Sequence, residues 1–235
     1  MIHEPDAPIA ASGENVYVTW TTNKTGNSEV MFRSSSDSGK SFGDKINLSN
    51  SPTANSLHSE IAASGENVYV SFHDAQSGNV DTYVRTSTDG GKTFGPMIKI
   101  NGIGTLPQKP DVRAPDFDPV EESEENTRIA ASGNNVYVTS WDKKTGNWEV
   151  FLSSSKDNGK SFGETINISN TPDARSDRAW IEAERDNVYV TWWETTGPGQ
   201  QDAFLKVSND NGQTFGPTLK LGENGTIGNS AANSN

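Results

Sequence analysis

One eight-residue pattern, Ser-x-Asp-x-Gly-x-Ser/Thr-Phe, occurs four times in this chain of 235 residues. The copies run from Ser35 to Phe42, Ser87 to Phe94, Ser155 to Phe162 and Ser208 to Phe215. Each part has a physical role. The Asp carboxylate folds back onto backbone N–H groups of a tight turn. The Gly supplies a backbone angle that other residues resist. The Phe pins the turn to a core. An apolar run rich in β-branched and aromatic residues precedes and follows each copy, which predicts a hairpin turn between two strands.

A second repeat runs in phase with the first. Ile9-Ala10-Ala11-Ser12-Gly13-Glu14-Asn15-Val16-Tyr17-Val18 recurs from Ile61, from Ile129 and, in looser form, from Ile181. Each unit reads as four strands: Ile-Ala-Ala-Ser, then Val-Tyr-Val-Thr-Trp or a variant, then a segment such as Glu29-Val30-Met31-Phe32, then one such as Lys45-Ile46-Asn47-Leu48. No helix-period stretch competes. Successive box aspartates, Asp37, Asp89, Asp157 and Asp210, are separated by 52, 68 and 53 residues. The expected fold class is therefore all-β: a β-propeller of four blades with four antiparallel strands each, in one domain. The blades are expected over about 8–50, 60–101, 128–170 and 180–222. Four blades of a larger ring is the second architecture. Both terminal strands of the array are present, so closure is expected from blade packing or from end segments such as the tail 223–235.

The repeats act as an internal control. Residues present in every unit serve the scaffold: the four box Asp and Phe residues, Tyr17, Tyr69, Tyr137 and Tyr189, and an acid eight positions before each box Asp (Glu29, Asp81, Glu149, Asp202). These acids are expected to make a repeated hydrogen bond to a neighbouring strand or blade. Residues that differ between units are free to form a site, and they gather at the end opposite the boxes. Before the Ile-Ala-Ala strand the equivalent positions hold Pro8, Glu60, Arg128 and Trp180. The crossings add His58, Arg175, Asp177 and Arg178, and Glu182 replaces the Ala of positions 10, 62 and 130. After the second strand come His73, Asp74, Asp142, Trp193 and Glu194. Convergence at the mouth of a central channel makes His58, Glu60, His73, Arg128, Arg175, Asp177, Arg178, Trp180, Glu182, Trp193 and Glu194 the candidate ligand-binding set.

The box pattern resembles the Asp box, or BNR repeat, of sialidase-like β-propellers. The resemblance implies an active site on the face opposite the boxes, with an arginine triad, a Tyr nucleophile assisted by Glu, and an Asp acid/base. Arg128, Arg175 and Arg178 offer positive charge, and Glu60, Glu182, Glu194 and Asp177 offer carboxylates. The tyrosines argue against that chemistry. Four occupy the repeated strand, and Tyr83 aligns with the core-like Met31, Phe151 and Phe204. The Arg-Ile-Pro signature expected near the start is also missing; Arg128-Ile129-Ala130 matches its first two residues only. A glycosidase with two carboxylates is the enzymatic alternative, and no catalytic residue is assigned.

Composition narrows the partners. A net charge of −12 disfavours binding along a nucleic-acid backbone. Hydrophobic content of 31% alone leans toward disorder, but short strands and polar turns lower that figure in any repeat of this kind. Without cysteine there are no disulfides or thiolate metal sites. No apolar run reaches the roughly 20 residues of a membrane span, so no membrane insertion is expected, and no signal peptide is visible. The long spacing holds an insertion over about 101–127 with four prolines and the acids Asp111, Asp116, Asp118, Glu121, Glu122, Glu124 and Glu125. A solvated loop is the expectation there. No cofactor is expected; calcium is the alternative reading of this acidic loop, although EF-hand spacing is absent. His3, third from the amino terminus, is a further copper or nickel motif. The functional expectation is a non-catalytic extracellular or cell-surface module that binds carbohydrate or protein opposite its boxes, with Trp180 and Trp193 stacking on sugar rings. The alternatives are a sialidase-like glycoside hydrolase and a self-associating surface-layer component.

Overall fold

The computed structural model describes residues 7–24, 26–77, 81–100 and 127–222. These form sixteen strands in four antiparallel sheets of four, which is the propeller architecture expected. Blade one holds β1 (Ile9–Ser12), β2 (Asn15–Thr22), β3 (Glu29–Ser35) and β4 (Ile46–Asn47). Blade two holds β5 (Ser56–Ser64), β6 (Asn67–Asp74), β7 (Asp81–Ser87) and β8 (Ile98–Lys99). Blade three holds β9 (Thr127–Ser132), β10 (Asn135–Asp142), β11 (Glu149–Ser155) and β12 (Ile166–Asn167). Blade four holds β13 (Arg175–Glu184), β14 (Asn187–Gly197), β15 (Gln200–Ser208) and β16 (Leu219–Lys220). No described element is a helix long and apolar enough to cross a membrane. The insertion residues 101–126, the tail from 223 and the His3 motif lie outside the described residues.

Each box closes on itself as its sequence requires. In the first, the Ser35 and Ser41 hydroxyls donate to the two Asp37 carboxylate oxygens (2.7 and 2.6 Å), and the Ser41 N–H adds a third bond at 2.8 Å. Asp89, Asp157 and Asp210 repeat the set. These donors favour the ionised form and hold the carboxyls of Asp37, Asp89 and Asp210 down at about 2. For Asp157 burial pulls upward, but the Ser161 and Ser155 hydroxyls outweigh it and the value is again about 2. Each box also donates a backbone N–H to the turn between the first two strands, as Ser38 does to Glu14 and Asn211 to Asp186 (both 2.8 Å). The boxes therefore share one end of the molecule with those turns.

The core lies between blades. Alternation sends one face of every sheet backward and the other forward. Tyr17, Val30, Phe32 and Leu48 of blade one pack on Ile61, Val68, Val70 and Phe72 of blade two. Blade two then meets blade three through Tyr69, Val84 and Ile100 against Ile129, Val136 and Val138. Tyr137, Trp141, Leu152 and Ile168 of blade three cover Ile181, Val188, Val190 and Trp192 of blade four. At about 1.5–3 kcal/mol for each fully buried aliphatic or Phe side chain, these interfaces are the main source of stability. No packing of comparable extent joins blade four to blade one among the described residues.

The structure exposes a longer period than the single blade. Blades one and three pair a buried Glu with a Ser hydroxyl and a backbone N–H of the following crossing: Glu29 with Ser49 and Ser51, Glu149 with Ser169 and Thr171. Blades two and four use a shorter Asp and a Lys of their own fourth strand instead: Lys99–Asp81 at 2.7 Å and Lys220–Asp202 at 3.1 Å. Arg85 of blade two donates to the Leu48 carbonyl of blade one (2.8 Å), and Lys206 of blade four donates to the Ile168 carbonyl of blade three (2.7 Å). The molecule is thus two copies of a two-blade unit.

Candidate functional site

The first strands of successive blades touch one another, β1 with β5, β5 with β9 and β9 with β13, so these strands are the innermost. Register confirms the equivalences along them. Glu60 lies opposite Ser71, Arg128 opposite Thr139 and Trp180 opposite Thr191, and the Pro8 carbonyl accepts from the equivalent Thr19 N–H at 3.0 Å. Three of these four positions form one contact row. Arg128 Nη1 meets Glu60 Oε1 at 2.8 Å, and the guanidinium carbon sits 4.5 Å from the centre of the Trp180 ring. Arg128 and Glu60 are half-buried, while Trp180 stays 60% exposed.

The first strands of blades two and four begin earlier than expected, at Ser56 and Arg175 rather than near 60 and 180. Each carries a bulge, between Leu57 and Glu60 and between Asp177 and Trp180. The extra residue is His58 in one and Arg178 in the other, with φ of +54° and +52°. A left-handed non-glycine residue is strained and re-aims its side chain. The His58 ring meets the His73 ring edge to face, with centres 5.9 Å apart.

Several candidates expected at the rim lie inside. His73 is buried, with Nδ1 3.2 Å from Thr82 Oγ1. Asp177 is buried and accepts from Arg175 Nε, whose guanidinium also covers the Trp148 ring. Glu194 is buried and accepts from Trp192 Nε1 at 2.9 Å. Asp74, its counterpart in blade two, accepts from Ser51 and Ser56. Blade-specific polarity at these positions therefore ties down the crossings, and Arg175 is held in that network. Glu182 and Trp193 are exposed, but on the forward face of blade four: Glu182 lies opposite Tyr189, and Trp193 occupies the position of the core residue Trp141. Among the described residues no group of three or more His, Asp and Glu side chains could hold a metal ion.

Sequence comparison finds no matching family model and no matching curated protein. Several solved structures share the fold. A Dyadobacter fermentans protein of unknown function superimposes with a TM-score of 0.59 at 15% identity, over 94% of this chain and 70% of that one. The GH93 α-L-arabinofuranosidase of Fusarium graminearum, solved with arabinobiose, gives 0.58 at 14% identity, over 88% and 62%. The Trypanosoma rangeli sialidase, solved with the inhibitor DANA, gives 0.58 at 11% identity, over 94% and 38%. The chain thus spans from over a third to about two thirds of the length of these structures. The fold is that of the β-propeller glycosidases.

Proposed function

We propose that this protein recognises carbohydrate on its innermost strands, at the row formed by Glu60, Arg128 and Trp180. The observation that carries the reading is the contact chain itself: a carboxylate orients a guanidinium, and the guanidinium lies against an indole that remains largely exposed. An exposed indole offers an apolar platform for the C–H face of a sugar ring. A guanidinium already held in place loses little freedom when it donates to sugar hydroxyls. Its charge is offset by Glu60 and the whole chain carries −12, so neutral glycans are favoured over sialylated ones. The likeness to propeller glycosidases supports a glycan ligand. We also read the box turns as Asp boxes of the sialidase-like type and place the protein outside the cell.

Titration calorimetry with neutral arabino- and xylo-oligosaccharides tests the site. Trp180→Ala should weaken binding by about thirty-fold, as for a central aromatic contact. Affinity unchanged in W180A would reject the row as the ligand platform. The enzymatic reading is favoured by the functions of the neighbours, an arabinofuranosidase and a sialidase. It would take Glu60, the carboxylate of the row, as one of the two acids that glycosidase chemistry uses. Release of nitrophenol from an arabinofuranoside or a sialoside, abolished in Glu60→Gln, would replace binding by hydrolysis as the function.

A further inference from the structure

Of the seven large apolar side chains that stand exposed among the described residues, five lie on the two end faces of the blade array. Ile9 is 67% exposed, whereas its counterparts Ile61, Ile129 and Ile181 are at most 9% exposed. Leu221 is 51% exposed, whereas Leu48, Ile100 and Ile168 are at most 2%. All four of the latter group donate a backbone N–H to the same third-strand position, so the equivalence is structural. Tyr189 and Trp193 of blade four are likewise open where Tyr17, Tyr69, Tyr137 and Trp141 are buried. Phe42 is the exposed box Phe, whereas Phe94, Phe162 and Phe215 pack into the inter-blade clusters.

These two faces are the unused halves of the contact made three times inside the chain. In each interior contact, the box glycine of the later blade lies against an aromatic ring of the earlier one: Gly91 against Phe32, Gly159 against Tyr69 and Gly212 against Tyr137. Tyr189 awaits such a box, and Gly39 of blade one, with the same left-handed φ of +81°, has only Val16 of its own blade nearby. The two-blade period selects the occupant. Blade four is of the Asp–Lys type, and inside the chain an Asp–Lys blade is followed by a Glu–Ser blade, as blade two is by blade three. Blade one is a Glu–Ser blade.

We propose that blade one of a second copy docks on blade four, head to tail, by the contact that joins blades two and three. Ile9 and the box around Gly39 cover Tyr189, Trp193 and Leu221. A heterologous contact of this kind closes into a ring or continues as an open chain according to its rotation. Glu182 stands where the interior contacts have Ala62 and Ala130. A carboxylate facing an apolar strand opposes docking, so this contact is weaker than its interior models and is strengthened by Glu182→Ala.

Light scattering on the full chain over a wide concentration range tests the proposal. The expected mass rises above 25.3 kDa with concentration, and E182A shifts the rise to concentrations at least about ten-fold lower, the equivalent of 1.4 kcal/mol. Ile9→Arg and Leu221→Arg each give monomers, with circular dichroism showing that both remain folded. An equimolar mixture of the two gives a dimer and nothing larger, because one intact pair of faces remains. A wild-type monomer at every concentration, association that survives in either variant, or a mixture that stays monomeric would each overturn the head-to-tail contact.

Discussion

A methyl group at Gly91 would lie 2.5 Å from Phe32 Cζ and 3.4 Å from Ser34 Cβ, on a backbone with φ of +80°. Gly39 shares that φ, at +81°, but a methyl group there would meet nothing closer than Val16 at 3.9 Å. The pair separates backbone strain from blade interlock. Gly39→Ala should cost about 1 kcal/mol, the strain alone, and Gly91→Ala about 2–4 kcal/mol because a packed ring must also move. Urea unfolding of the two variants checks the difference; equal losses would mean that the boxes do not interlock. The box aspartates carry a pH signature as well. Their folded-state carboxyl values of about 2 lie below the ordinary 3.8. Depressed acids stabilise the fold fully above their ordinary value, and that contribution is lost as pH falls through the folded value. The melting temperature should therefore drop steeply between about pH 4 and pH 2, and Asp89→Asn should flatten part of that drop in thermal melts. A profile with no acid-side slope would show that the boxes add no stability.

At the scale of strands and turns, much was legible because the repeat supplies its own alignment. Ile61, Tyr69 and Phe94 are recognisable as core since each recurs at the same step of every unit. The bulges at His58 and Arg178 were not, because a bulge depends on pairing with the next strand, here β6 and β14. The burial of Asp177 and Glu194 was hidden for a related reason: their partners, Arg175 and Trp192, are visible only once strands and crossings are folded together. The two-blade period is present in the letters, as Glu29 and Glu149 against Asp81 and Asp202, but the charge that Glu and Asp share masks it. The distinction has an energetic consequence. Burial raises the Asp81 carboxyl, but the Lys99 ammonium and the Ser77 hydroxyl outweigh it and hold it below the ordinary value. Lys99→Met removes the ammonium and leaves Asp81 inside with less compensation. The expected cost is about 1–3 kcal/mol, with the Asp81 carboxyl shifted upward in an NMR titration. Retained stability and an unmoved titration would mean that the Lys is dispensable.

At the scale of the molecule, the row of Glu60, Arg128 and Trp180 was recognisable residue by residue, yet contact among the three required the curvature that brings β5, β9 and β13 side by side. That curvature comes from nearest-neighbour packing alone, since each apolar cluster is shared by two adjacent blades and none spans three. Such an array stores its stability in a sum of interfaces, as repeat proteins do. Cutting between the two-blade units, in the segment before Thr127, therefore sacrifices one interface and leaves the other two whole. The fragment 127–222 keeps Tyr137, Trp141 and Leu152 packed on Val188, Val190 and Trp192. It also keeps the Lys206 bond to the Ile168 carbonyl. It should fold by itself, with a β-rich circular dichroism spectrum and a cooperative urea transition. The slope of that transition should be about half that of the full chain, because slope follows the surface exposed on unfolding. A fragment without a cooperative transition would instead place the folding unit at four blades, with the contact between blades two and three indispensable to both halves.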